Sequence, residues 1–248
     1  MLDIGANVGS FTVPFARKVG DSGKVLAFEP QSMLANMLGA NAVINLMPRI
    51  FVKPYAVGDV EGFVQLDSID YFSKDSNFGA YSFKNGPIDS SRAERIPQKT
   101  LDSMFGANDP CPNFIKMDIE GMEYEAMLGA KHMIKRCKPA MIFENNNIRV
   151  SELLLPFLLE LDYDLYWTID PIFESGNFFG NAENVFSCPT CNSIDILCLV
   201  NGGSPLDGDG YPLMKVQKGK YLLTDYVNEL SPTWMKKYPQ ITEILGQD

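Results

Sequence analysis

Two groups of residues in this 248-residue chain have types and spacings that can do chemistry. The first is Asp3-Ile4-Gly5-Ala6-Asn7-Val8-Gly9, with Glu29 following about twenty residues later. Glycines between a strand and a helix let a ligand approach backbone N–H groups closely. An acid at the tip of the next strand can accept both hydroxyls of a ribose. The second group is Asp118-Ile119-Glu120-Gly121, with Glu144 further on. These three carboxylates fall at the carboxyl ends of expected strands, where open α/β sheets bind ligands. Carboxylates there can orient a ligand, act as a general base or offer hard oxygen ligands to a divalent cation. Without a fourth ligand in the pattern, no metal is assigned. Glu120 also has a simpler role open to it, since an acid near a helix N-terminus is favourable by itself.

The opening turn departs from the dinucleotide fingerprint G-x-G-x-x-G. Aligned on Gly5, that pattern needs glycines at positions 7 and 10, where Asn7 and Ser10 stand. Its middle glycine admits a pyrophosphate, so a ligand without pyrophosphate does not need it. S-adenosylmethionine is such a ligand.

The elements that must position these groups alternate. Met1, Leu2 and Ile4 read as a strand, and Ser10 to Lys18 as a helix with Phe11, Phe15 and Val19 on one face. Pro14 fits near that helix's start, because it has no N–H to donate. Lys24 to Phe28 is a second strand, Ser32 to Asn45 a helix, "RIFVKPYAVGD" a third strand and Gly62 to Ile69 a fourth. Residues 70–92 are rich in Ser, Asn, Asp and Gly and read as a long polar loop. "NFIKMDIEG" is a strand entering an acidic turn, Met122 to Arg136 a helix, and "PAMIFENN" another strand. Ser151 is placed to cap a helix from Glu152 to Leu161, and "YDLYWTI" and "IDILCLV" are two late strands. This alternation predicts an α/β fold with a mostly parallel, doubly wound sheet. Residues 1–200 read as one domain and 201–248 as an extension packed on it.

The totals narrow the function. A formal charge of −10, with 31 acidic against 21 basic residues, works against binding a phosphate backbone. No apolar run reaches the roughly 18–20 residues of a membrane span. Five cysteines are few and odd in number, which suits a reducing compartment, so a cytoplasmic location is expected. Cys188-Pro-Thr-Cys191 lacks the further ligands of a zinc site and reads as coincidence. His132, the single histidine, lies well into its helix and reads as structural.

"LDIGANVGSFT", "AFEP", "AVGD", "IKMDIEGMEYEAMLGA" and "IFENN" stand in the order and spacing of the FkbM-type family of S-adenosylmethionine-dependent methyltransferases. The resemblance covers roughly residues 1–200, and "IKMDIEGMEYEAMLGA" is its most specific part. It implies a Rossmann-like class I methyltransferase fold, with an antiparallel strand near the C-terminal end. It also implies O-methylation of a hydroxyl on a sugar, glycan or natural product. By position, Asp3, Gly5, Ala6, Asn7, Gly9 and Ser10 would surround the methionine side of S-adenosylmethionine. Glu29 would hold the ribose, Pro30 and Gln31 would flank the adenine, and Ala56 and Val57 would offer backbone groups to its edge. Asp118 would orient the cofactor, with Glu120 as base or acceptor ligand and Glu144 as a further catalytic carboxylate. Asn77, Gly79, Tyr81 and Ser82 resemble a family stretch beside the acceptor, and their amide and hydroxyls suit carbohydrate. Family members carry a segment before the glycine turn, whereas two residues precede Asp3 here. The expected partner is thus a small-molecule or glycan acceptor, with no nucleic acid and no membrane span. Oligomeric state is not legible.

Two other readings remain at this point. One is a nicotinamide-dependent oxidoreductase, disfavoured by the absent middle glycine. The other is a non-catalytic relative that binds a nucleoside, or nothing.

Overall fold

The structure is a computed structural model describing residues 1–66, 71, 93–173, 176, 180, 181, 183, 184, 192–200, 202, 205 and 213–226. It divides into two compact units, Met1–Phe143 and Glu144–Asp248.

The first unit begins with β1 (Leu2–Ile4), α1 (Thr12–Lys18), β2 (Val25–Phe28), α2 (Ser32–Ile44) and β3 (Ile50–Lys53). After these come β4 (Ala56–Val57), β5 (Gly62–Leu66), β6 (Glu94–Lys99) and α3 (Leu101–Met104). The unit closes with β7 (Phe114–Met117), α4 (Glu123–Leu128), α5 (Lys131–Cys137) and β8 (Ala140–Glu144). Its main sheet is parallel, in the order β8-β7-β1-β2-β3. Leu2 and Ile4 of β1, Val25 and Ala27 of β2, and Ile115 and Met117 of β7 are almost wholly buried. Strands covered on both faces need such runs. The chain leaves β1 toward β2 on one side, while β7 pairs on the other, so β1 and β7 flank a topological switch point. Crevices at the carboxyl ends of such strands are where these sheets take ligands.

Several elements differ from the sequence expectations for identifiable reasons. The third strand stops at Lys53, because Pro54 cannot donate to a ladder. Ala56 and Val57 instead join a second sheet, β4-β6-β5. Its middle strand, β6, was hidden by Pro97 and by the shortage of apolar residues in "ERIPQK". The fold tolerates Pro97 because β4 pairs only with Gln98 and Lys99. The single helix expected from Met122 to Arg136 is two. A Cβ at Gly129, between them, would lie 2.0 Å from the Gly58 carbonyl oxygen, so the break serves a close backbone approach. Asp102 then caps α5 from another element, accepting from the N–H groups of His132 at 3.0 Å and Met133 at 2.7 Å.

The second unit contains α6 (Ile148–Glu160), the antiparallel pair β9 (Asp164–Pro171) and β10 (Asn192–Leu199), and β11 (Met214–Lys215) against β9. Asn147, rather than Ser151, caps α6, accepting from the N–H groups of Arg149 and Val150. Ser151 lies inside the helix, and its hydroxyl donates to the Tyr221 carbonyl. The two late strands expected from the sequence pair with each other, and they do so antiparallel.

Cys111 and Cys137 form a disulfide, with Cα atoms 5.2 Å apart. This corrects the expectation of thiols kept reduced. It removes the ground for placing the chain in a reducing compartment, because disulfides persist in oxidising ones. No helix among the described residues is long and apolar enough to cross a membrane.

Candidate active site at the carboxyl end of the parallel strands

The turn after β1 is built by backbone constraints. Gly5 (φ +78°), Asn7 (φ +50°) and Gly9 (φ +93°) adopt positive φ, where glycine is unstrained and asparagine is the best tolerated side chain. The Asn7 carboxamide stabilises the turn by accepting from the Val8 N–H at 2.7 Å. The N–H groups of Gly5 and Ala6 both donate to the Phe28 carbonyl at 3.0 Å, tying the turn to the end of β2. A Cβ at Gly5 would lie 1.7 Å from the Asp118 carbonyl oxygen, so the turns after β1 and β7 interlock only around a glycine.

Between these turns is a cavity of about 230 Å³. Its walls include the sequence-predicted Gly5, Ala6, Asn7, Ser10, Glu29, Pro30, Gln31, Asp118 and Glu120. Phe11, Lys116 and Ile119 line it too and were not anticipated. Asp3 and Gly9 are buried beneath the turn rather than on the wall. Ala56 and Val57 line a small adjoining crevice with Pro30, Tyr55 and Ile119. Glu144 is the last residue of β8. Asn77, Gly79, Tyr81 and Ser82 lie outside the described residues, as do Cys188 and Cys191.

Glu29 is 3% exposed, and both its oxygens are engaged. Oε2 accepts from the Asn7 N–H at 2.8 Å and Oε1 from the Gln31 N–H at 2.9 Å. A carboxylate has about four lone-pair sites, so two remain for ligand hydroxyls. Burial, opposed by these two bonds, raises its pKa. Asp3 is fully buried; Oδ2 accepts from the Thr12 hydroxyl at 2.5 Å, while Oδ1 has no hydrogen-bond partner among the described residues. Burial raises its pKa as well.

The Asp-Ile-Glu-Gly turn has its own support. Glu120 (φ +53°) and Gly121 (φ +96°) turn the chain away from β7. Glu123, almost wholly buried at the start of α4, accepts from the N–H groups of Ile119 at 3.0 Å and Gly121 at 3.3 Å. Burial first, then the charges of Asp118 and Glu123, raise the pKa of Glu120. The Lys116 ammonium is 3.1 Å from Asp118 Oδ2, and it lies 5.1 Å from the centre of the Phe11 ring. A lysine in a strand paired on both sides was a legible signal of a site, since an inner strand seldom carries a charge without a use for it. Glu123 gave a weaker one, because an acid opening a helix is ordinary.

Known proteins resemble the chain in sequence pattern and in fold. The methyltransferase FkbM domain matches residues 3–165. Among solved structures, methyltransferase FkbM from Methylobacillus flagellatus KT is similar at 20% identity and a TM-score of 0.52. That match covers 79% of this chain and 42% of the other, so the chain spans less than half of that relative. A putative tRNA (m1A22) methyltransferase from Streptococcus pneumoniae, Sp1610, is similar at 13% identity and a TM-score of 0.50. It is covered to 81%, over 100% of this chain. No curated protein sequence matches the chain. The fold is Rossmann-like, as in these methyltransferases, and the chain belongs to the FkbM methyltransferase family.

Proposed function

We propose that the protein transfers a methyl group from S-adenosylmethionine to a hydroxyl of a sugar, glycan or natural-product acceptor. The observation that carries this reading is Glu29, buried at the end of β2 and held by the Asn7 and Gln31 N–H groups beside a glycine turn. Charge supports it. Among the described wall residues, Glu29, Asp118 and Glu120 are carboxylates and Lys116 is the cation. Such a cavity favours a cofactor bearing a sulfonium and an ammonium, and disfavours the pyrophosphate of a dinucleotide. The lone-pair sites that Glu29 keeps beyond its two backbone bonds, and the cavity between the turns after β1 and β7, fit a cofactor there.

When bound, S-adenosylmethionine supplies a methyl carbon already activated by positive sulfur. The protein's work is then alignment of acceptor oxygen, methyl and sulfur, which can supply roughly 7–11 kcal/mol. Glu29 binds the ribose, while Asp118, fixed by Lys116, orients the cofactor. Glu120 takes the acceptor's proton, because its raised pKa makes it a better base than an ordinary carboxylate. Glu144 is a further catalytic carboxylate, and the amide and hydroxyls of the stretch holding Asn77, Gly79, Tyr81 and Ser82 bind the acceptor. The net charge of −10 makes a nucleic-acid acceptor unfavourable. The test is transfer of radiolabelled methyl to a panel of hydroxylated glycans and small molecules. Label in an ether linkage supports the reading, and label only in nucleic acid contradicts it.

A further inference from the structure

Gln31 is a buried polar side chain that joins three parts of the first unit. It stands at the N-cap of α2 with extended backbone (φ −74°, ψ 115°), and its N–H holds Glu29 Oε1 at 2.9 Å. It is 7% exposed and lines the cavity. A buried amide stays in place only if its polar ends are satisfied. Oε1 of Gln31 accepts from the Tyr71 hydroxyl at 3.0 Å, forty residues along the chain. The next residue, Ser32, donates its hydroxyl to Glu94 at the start of β6. The end of the cavity nearest Glu29 is therefore braced from outside the β1–β2 layer by Tyr71 and by Glu94.

We propose that Tyr71 is a positioning residue for the nucleoside end of the ligand, acting through Gln31 on the loop that holds Glu29. This rests on the S-adenosylmethionine reading above. Tyr71 need not touch the cofactor. Its hydroxyl fixes the Gln31 carboxamide, and Gln31 in turn fixes one of the two backbone donors that orient the Glu29 carboxylate. Without that brace, the loop must be ordered when the ligand binds, and affinity falls accordingly.

The test is calorimetric titration of the wild type, Tyr71→Phe, Gln31→Ala and the double variant with S-adenosylhomocysteine and with adenosine. Tyr71→Phe keeps the ring and removes one hydrogen bond, so binding should weaken about fivefold, the scale of a neutral hydrogen bond. Both ligands should weaken by the same factor, because the effect lies at the part they share. On the Gln31→Ala background, Tyr71→Phe should have no further effect. Unchanged affinity in Tyr71→Phe, or a full extra loss in the double variant, overturns the proposal. A wild type that binds neither ligand overturns the cofactor reading itself, and this inference with it.

Discussion

The Asn7 backbone N–H donates to Glu29 Oε2 at 2.8 Å, joining the glycine turn after β1 to the acid at the end of β2. This bond couples the position of the acid to the shape of the turn. In the proposed function, Glu29 also accepts the ribose hydroxyls. Replacing it with alanine should weaken S-adenosylmethionine binding by roughly 1.5–3 kcal/mol, the range for hydrogen bonds to a charged group. Calorimetry measures this directly, and unchanged affinity would remove Glu29 from the site.

Gly5→Ala should be severely damaging. The new methyl meets the Asp118 carbonyl oxygen, a backbone atom with no rotamer to escape into, and the residue has φ +78°. Strain of this kind costs about 1–3 kcal/mol before the clash is counted. Gly39→Ala is the matched control, because nothing lies within 4 Å of its added methyl inside α2. That change should stabilise by roughly 0.5–1 kcal/mol. Thermal melts of the two variants should therefore move in opposite directions.

Glu123 is held above its ordinary pKa of 4.5 by burial. A carboxyl with a raised folded-state pKa binds its proton more tightly in the folded chain than in the unfolded one. Its contribution is favourable below the unfolded pKa and is lost as pH rises through the raised folded value. Glu123→Gln removes this titration while keeping an oxygen that can accept from the Ile119 and Gly121 N–H groups. The melting temperature of the variant, relative to wild type, should be higher at pH 8 than at pH 4. An offset independent of pH would show that Glu123 does not titrate differently on folding.

With an acceptor in hand, Glu120→Gln should lower kcat by about 10²–10⁴-fold, the usual contribution of a general base. Binding of S-adenosylhomocysteine should be nearly unchanged. A variant that keeps its turnover would leave Glu120 with only a structural part in the turn.

The Cys111–Cys137 bridge spans 26 residues of sequence, and closing a loop of that size contributes about 3.5 kcal/mol in the chain-entropy account. Dithiothreitol, or Cys137→Ser, should lower the melting temperature. Mass spectrometry of the alkylated chain should find the two cysteines linked before reduction.

The sequence was most legible where one residue type answers one backbone demand. Gly5 and Gly9 announced the turn, and the acid after the second strand, Glu29, lies at the end of β2 against that turn. The Asp-Ile-Glu-Gly stretch announced the turn after β7. Legibility failed where long-range contacts decide the outcome. Gly129 breaks a helix because it meets Gly58, a contact no local pattern encodes. β6 is a strand because β4 and β5 flank it, although Pro97 argues against one locally. Cys111 and Cys137 look unrelated until α5 brings them together. Lys116 and Glu123 were in view as residues but not as parts of the site. Their roles come from what lies across the sheet and around the turn, not from their spacing.

The central claim is best tested by calorimetric titration of the purified chain with S-adenosylmethionine and S-adenosylhomocysteine, with NAD as the control. The account predicts micromolar binding of the first two and none of NAD. Binding of NAD in preference, or of none of the three, would contradict it.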